Sequence, residues 1–220
     1  MWAPSAADLA GDFQVLTPDL PGHGTRRNEP FRFASAVGVV RETVLALAST
    51  PVVLVGDSLG SYVSVAAAAA LGSQLRGAVL GGGTANLQGP VAPLYAAQIA
   101  LTNLVPATKL QVQLERRLPR DYAAGAAILE GGIRPAAFAE GVGELRRFNF
   151  RAELARLDIP ILFVNGARDW SHRLCERGTL AAARRATFHR IPDVGHGISL
   201  TRPAAFAALI REFLAGLVAR

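Results

Sequence analysis

Lysine is almost absent from this chain. Lys109 is the only one in 220 residues, although Lys and Arg together number 23 and the formal charge is +6. The positive charge is therefore carried by Arg, and it is scattered. The pairs Arg26-Arg27, Arg116-Arg117, Arg146-Arg147 and Arg184-Arg185 read as solvated faces. They do not form the clustered basic stripe that tracks a phosphate backbone, so nucleic acid is set aside as a partner. Cysteine is equally scarce. Cys175 stands alone, which excludes an internal disulfide and favours a cytoplasmic address. No Cys/His cluster calls for a metal, and nothing calls for a cofactor. No apolar run reaches the ~18 residues of a membrane span; Val63 to Leu71 is too short and too rich in Ala. The N-terminus also lacks the basic start and apolar stretch of a secretory signal. Half of the residues are hydrophobic, which suits a sheet covered on both faces, and the length is that of one domain.

The most informative stretch is Gly56-Asp57-Ser58-Leu59-Gly60. It follows the apolar run Pro51 to Val55 and opens the Ala-rich segment Ser61 to Leu71. G-x-S-x-G between a strand and a helix describes a nucleophile elbow, a sharp turn that lifts the Ser hydroxyl above the sheet. Gly at 56 and 60 is expected because a side chain at either position would collide with the neighbouring strand or helix. The helix N-terminus behind the turn faces the oxygen that becomes negative during acyl transfer.

A Ser nucleophile needs a base and an orienting acid, and with this elbow they follow in the order Ser, Asp/Glu, His. Ile159 to Val164 reads as a buried strand leading into Asn165-Gly166-Ala167-Arg168-Asp169. Thr187 to Pro192 reads as a short strand leading into Asp193-Val194-Gly195-His196-Gly197. Both candidates lie just past the carboxyl end of a strand, where open α/β sheets carry their chemistry. Asp169 is the expected orienting acid and His196 the expected base. Asp193 lies three residues before His196 and is read as shaping that turn, while Asp169 before a helix also fits a cap. His23, in a Pro-Gly-His-Gly turn, is read as structural. His172 and His189 have no partner pattern and are expected to be solvent-exposed. Asp57 occupies the second elbow position rather than the third, so it is not the attacking group.

With these motifs the chain resembles the α/β-hydrolase fold family. Leu16-Thr17-Pro18-Asp19-Leu20-Pro21-Gly22-His23-Gly24 is similar to the strand-and-turn segment upstream of that family's elbow. Gly195 to Ser199 followed by Arg202-Pro203-Ala204-Ala205-Phe206 is similar to its His loop and last helix. Ser61 stands where many members carry a second Gly after the elbow, and is small enough for the packing to survive. The resemblance implies a mostly parallel sheet flanked by helices, with a core formed by 1–83 and 152–220. Residues 84–151 have no convincing strand and hold Pro90, Pro93, Pro106, Pro119 and Pro135. They are assigned as a small helical cap over the nucleophile. Apolar residues there, from Leu87, Leu94, Tyr95, Ile99, Leu101 and Leu104 to Ile128 and Phe138, would serve an acyl pocket or an ordinary cap core equally well.

The alternation elsewhere predicts strands at Phe13 to Thr17, Val52 to Val55 and Gly77 to Leu80, with helices at Ala34 to Ala48 and Leu59 to Leu71. Set against the family, the first strand or strands, and the His-Gly turn that supplies a second oxyanion N–H, are missing. Leu59 N–H remains as the expected donor. Two explanations stand: the natural start lies upstream of Met1, or the chain is a repurposed copy. The resulting expectation is a serine hydrolase that acts on an ester, thioester or related acyl bond of a small molecule. Ser58 is the nucleophile, and activity fades as the pH falls below the ordinary His value of ~6.5. The same fold also serves carbon–carbon bond hydrolases and haloperoxidase-like enzymes, and a non-catalytic ligand receptor is the rival from another class.

Overall fold

Alternation with a period of two in the central strands decides how the layers form. The computed structural model describes residues 1–122, 124–132 and 134–218. The chain opens with α1 (Ala3–Leu9) and α2 (Phe33–Leu45), followed by β1 (Val52–Asp57), α3 (Leu59–Ala68) and β2 (Leu75–Gly81). Five helices separate β2 from the next strand: α4 (Ala92–Asn103), α5 (Ala107–Asp121), α6 (Gly125–Gly131), α7 (Ala136–Leu145) and α8 (Phe150–Arg156). Then come β3 (Ile161–Gly166), α9 (Trp170–Arg173), α10 (Glu176–Leu180), β4 (Ala186–Ile191), α11 (Ile198–Thr201) and α12 (Pro203–Val218).

The four strands are parallel and lie in the order β1-β2-β3-β4. Leu54, Ala78, Leu80, Ile161 and Phe163 point to one face and join Tyr62 and Val65 of α3 and Leu154 of α8. Val79, Leu162 and Val164 point to the other, where Ile198, Phe206, Ala207 and Ile210 cover them. β3 is buried along its whole length, as a strand covered on both faces should be. β4 is the outer strand and carries exposed Thr187, His189 and Arg190. The solvent-exposed position expected of His189 is therefore observed.

Phe13–Thr17 is not a strand: it forms no ladder with β1, whose outer edge is unpaired among the described residues. A strand exists only by pairing, and among the described residues no strand runs beside this segment. The residues before it instead form α1, which packs on α12. Trp2 stacks on Phe206 with ring centroids 6.1 Å apart, and Arg211 pairs with Asp8 and Asp12. The turn after it does form. Asp19 accepts hydrogen bonds from Thr25 N–H (2.9 Å) and Thr25 Oγ–H (2.8 Å), and exposed His23 hydrogen-bonds through Nδ1 to Pro21 O at 3.0 Å.

The two elbow glycines prove unequal. A Cβ on Gly56 would lie 2.5 Å from the carbonyl of Gly60, so β1 and the start of α3 touch through bare backbone. A Cβ on Gly60 would meet nothing within 4 Å, which corrects the expectation of a clash at both positions. Gly60 is the surface against which Gly56 packs, and its own side-chain direction is open. Ser61 fits because its Cβ faces Gly83, where an added Cβ would approach to 2.5 Å. Its hydroxyl donates to Gly81 O at 2.8 Å. Gly56→Ala is therefore expected to destabilise the fold by about 1–3 kcal/mol through overpacking. Gly60→Ala is expected to change the urea midpoint little. Urea denaturation of the two variants side by side checks both.

Candidate active site

Ser58 lies between the last residue of β1 and the first of α3, with φ 53° and ψ −121°. A positive φ is uncommon for a residue with a Cβ, and it is held only where the surroundings over-determine it. Here the Ser58 N–H donates to Gly81 O on β2 at 2.8 Å, and the close contact at Gly56 fixes the other side. The turn leaves the hydroxyl at the carboxyl edge of the sheet. Leu59 follows as the first residue of α3, a position whose N–H has no partner inside the helix. Its side chain lies beneath α7, where a Cβ on Gly141 would come within 3.1 Å of it.

The acid and His loops arrive from β3 and β4 and are tied to each other by backbone hydrogen bonds. Ala167 N–H donates to Ile191 O (2.9 Å) and Arg168 N–H to Val194 O (2.7 Å). Asp193 has φ 56° and pairs with Arg168 at 2.7 Å, both side chains well exposed. It shapes the turn, as expected. The carboxylate of Asp57, 2% exposed, accepts from Ser199 N–H (2.9 Å) and Ser199 Oγ–H (2.5 Å) at the start of α11. The elbow's second residue therefore fastens the His196 loop to the strand that leads into Ser58.

These supports bring Ser58, His196 and Asp169 together. Ser58 Oγ–H donates to His196 Nε2 at 2.7 Å, and His196 Nδ1–H donates to Asp169 Oδ2 at 2.8 Å. Asp169 can only accept, so the proton between it and the ring belongs to Nδ1, which leaves Nε2 free to accept from the serine. Gly82, with φ 52°, is the wall beside this ring: a Cβ there would stand 3.0 Å from His196 Cε1. Asp169 also caps α9, accepting from His172 N–H at 3.4 Å. One carboxylate thus makes both the helix-cap contact and the contact to the His196 ring.

His172 does not face solvent. It is 3% exposed, its Nδ1–H donates to Asp169 Oδ1 at 3.0 Å, and its ring stacks on His196 at 4.6 Å and 25°. The expectation failed because an isolated His shows no periodic pattern. A local signal does exist: with Asp169 as N-cap, His172 is the third helical residue, and that spacing lets its side chain reach back to the cap. Asp169, His172 and His196 present ligand-type atoms within 4.8 Å of one another. Both Nδ1 atoms already donate to the carboxylate, so hydrogen bonding accounts for the cluster.

Burial separates the three titrations. Burial alone would raise the Asp169 pKa, but the hydrogen bonds and charges of His172 and His196 hold it well below the usual carboxylate range. At His172 burial dominates and lowers the pKa, and the charge of His196 adds to it despite the Asp169 hydrogen bond. At His196 burial also opposes the charged form, although 43% of the side chain is exposed. There Asp169, with Asp57 beyond it, outweighs burial and the pKa is raised. His196 therefore keeps its second proton to a higher pH than an isolated imidazole would. NMR titration of the two rings should show His196 titrating above ~6.5 and His172 below it. Both rings titrating at the same ordinary value would contradict this assignment.

Known proteins resemble this chain in sequence and in fold. The model of the Alpha/beta hydrolase family matches residues 1–209. A pimeloyl-[acyl-carrier protein] methyl ester esterase of Neisseria meningitidis is 28% identical over 233 residues, covering 96% of this chain and 71% of that protein. A thermophilic esterase from Thermogutta terrifontis superposes with a TM-score of 0.74 at 21% identity, over 98% of this chain and 85% of the other. The enol-lactonase from Burkholderia xenovorans LB400 gives 0.75 at 20% identity, over 97% and 85%. The structural likenesses carry the fold. With the family model spanning almost the whole sequence, the chain belongs to the alpha/beta hydrolase family.

Proposed function

We propose that this enzyme is a serine hydrolase that cleaves an ester, thioester or related acyl bond through an acyl-enzyme on Ser58. The observation that carries the reading is the unbroken hydrogen-bonded line from the Ser58 hydroxyl through His196 to Asp169. In this reading Ser58 Oγ attacks the substrate carbonyl as its proton passes to His196 Nε2. The imidazolium is held by Asp169, whose charge favours that form. The carbonyl oxygen becomes an oxyanion in front of α3, where Leu59 N–H and the positive end of the helix stabilise it. His196 returns the proton to the leaving alcohol or thiol. A water then gives its proton to His196 as it attacks the acyl carbon. Collapse of that intermediate breaks the Ser58 Oγ–acyl bond while His196 returns the proton to Ser58 Oγ and the acid departs.

The helices between β2 and β3 supply the cover in this proposal, making 84–151 a cap on a core of 1–83 and 152–220. α7 is fastened beside the elbow: Glu140 accepts from Phe31 N–H at 2.7 Å, and Glu144 accepts from Phe33 N–H at 3.2 Å. The Tyr95 hydroxyl on α4 lies 3.4 Å from Ser171 Oγ at the acid loop. The eight residues read as acyl-pocket candidates do not share one role. Leu87 is core, Tyr95 and Ile99 pack against the core, and Leu101 and Leu104 are 64% and 79% exposed. Likeness to carrier-protein methyl ester esterases supports an ester over the carbon–carbon or halogenating chemistries of the same fold. Among the described residues no helix is long and apolar enough to cross a membrane. The single buried Cys175 supports a cytoplasmic site for the reaction.

Purified protein should hydrolyse a short p-nitrophenyl ester. Ser58→Ala should lower kcat/KM by ~10³-fold or more while the far-UV circular dichroism stays unchanged. A folded Ser58→Ala variant with undiminished hydrolysis would remove the acyl-enzyme from the reaction. The raised His196 pKa predicts that kcat/KM falls as the pH drops through a value above ~6.5. A rate that stays flat to pH 4 would exclude His196 as the base.

A further inference from the structure

Asp169 has two carboxylate oxygens, and each receives an imidazole. Oδ2 takes His196 Nδ1–H at 2.8 Å, and Oδ1 takes His172 Nδ1–H at 3.0 Å. Both donors must carry their proton on Nδ1, because the carboxylate can only accept. We propose that His172 is a positioning residue for the reaction: its Nδ1–H pins Asp169 Oδ1 so that Oδ2 faces His196, and its ring is the flat support on which the His196 ring lies. The proposal rests on the serine-hydrolase reading above and adds a fourth side chain to it.

Three observations carry it beyond ordinary packing. The first is the anchoring of His172 itself. Thr84 Oγ–H donates to the His172 carbonyl at 3.0 Å, and Asn165 Nδ2–H donates to Thr84 Oγ at 2.7 Å. Thr179 Oγ–H donates to Thr84 O at 2.8 Å, and Asn165 also donates to Glu176 Oε1 at 2.9 Å. This buried network joins β3, the segment after β2 and α10, and His172 hangs from it. The second is the stacking of the two rings, 4.6 Å apart and 25° from parallel. The third is the asymmetry of their surroundings. His172 is buried, whereas 43% of the His196 side chain is open towards the place a substrate would occupy.

The chemistry follows from the two rings sharing one acceptor. Burial lowers the His172 pKa, so it stays a neutral donor in the range where His196 titrates. A neutral donor on Oδ1 draws electron density from the carboxylate and moderates its pull on His196. It also stops the carboxylate from rotating, so the His196 ring plane is set before substrate arrives. The charged and titratable groups around the pair are Asp169 from the loop after β3 and Asp57 from β1. Tyr95 of α4 approaches through Ser171, and Tyr62 of α3 and Cys175 stand further out.

The test compares His172→Asn with His172→Val in kcat, KM and the pH profile of p-nitrophenyl ester hydrolysis. Active sites are counted beforehand by fluorophosphonate titration. Asn places an amide N–H close to the position of His Nδ1, so it should keep kcat within about threefold and leave the acid limb in place. Val removes the donor, and a loosened geometry of this kind should lower per-site kcat by about 10- to 100-fold with KM little changed. Its acid limb should move upward, because the unshared carboxylate pulls harder on His196. A Val variant with wild-type per-site kcat and an unmoved acid limb would overturn the proposal. So would Asn and Val variants equally impaired per site. A change confined to the number of titratable sites would reduce His172 to structural support and overturn it as well. If the wild-type activity does not depend on Ser58, the serine-hydrolase reading fails first, and the two failures are told apart.

Discussion

Everything at this site depends on the carboxylate of Asp169 having a fixed orientation. A carboxylate turned away from His196 would no longer hold the ring proton on Nδ1, the arrangement that leaves Nε2 free to accept from the Ser58 hydroxyl. Here the orientation is over-determined. Oδ1 receives the His172 ring N–H at 3.0 Å, the Ser171 hydroxyl at 3.2 Å and the His172 backbone N–H at 3.4 Å. Among the described residues Oδ2 receives only His196. The charged form is favoured by these donors strongly enough to outweigh burial.

The fold delivers the three partners because parallel strands end on the same side. β1 ends at the elbow, β3 at the acid loop and β4 at the His loop, so residues more than a hundred positions apart share one rim. The rim is then locked by contacts that leave no slack. The two glycine approaches, at Gly56 and Gly82, bring backbone and ring closer than a Cβ would permit. Asp57 reaches across to Ser199 and holds the His loop against the elbow. Strain at Ser58 is sustained by this surrounding structure, which is why a single added methyl at Gly56 threatens the fold and the hydroxyl together.

What could be read from the sequence is what depends on near neighbours. The strand–turn–helix around Ser58 is written in five consecutive residues, and the loops of Asp169 and His196 each follow an apolar strand. Their convergence needed only the rule that parallel strands end together. The segment Phe13–Thr17 has strand-like composition, yet strand formation depends on a partner that lies elsewhere in the chain. None reaches it among the described residues. The clash assigned to Gly60 was a matter of direction, since only coordinates tell which of two touching glycines points at the other. His172 was misplaced for a similar reason. Burial and stacking on His196 are long-range outcomes, and a lone imidazole carries no pattern that announces them.

The central proposal is that Ser58, made nucleophilic by His196, attacks an acyl carbon, and a fluorophosphonate reports such a nucleophile by bonding to it covalently. Treating the native protein with a fluorophosphonate and mapping the adduct by peptide mass spectrometry tests it most directly. The account predicts one label per molecule, on the Ser58 hydroxyl, forming at a rate that rises with pH as His196 loses its proton. A folded protein that takes up no label, or takes it up at another residue, would contradict it.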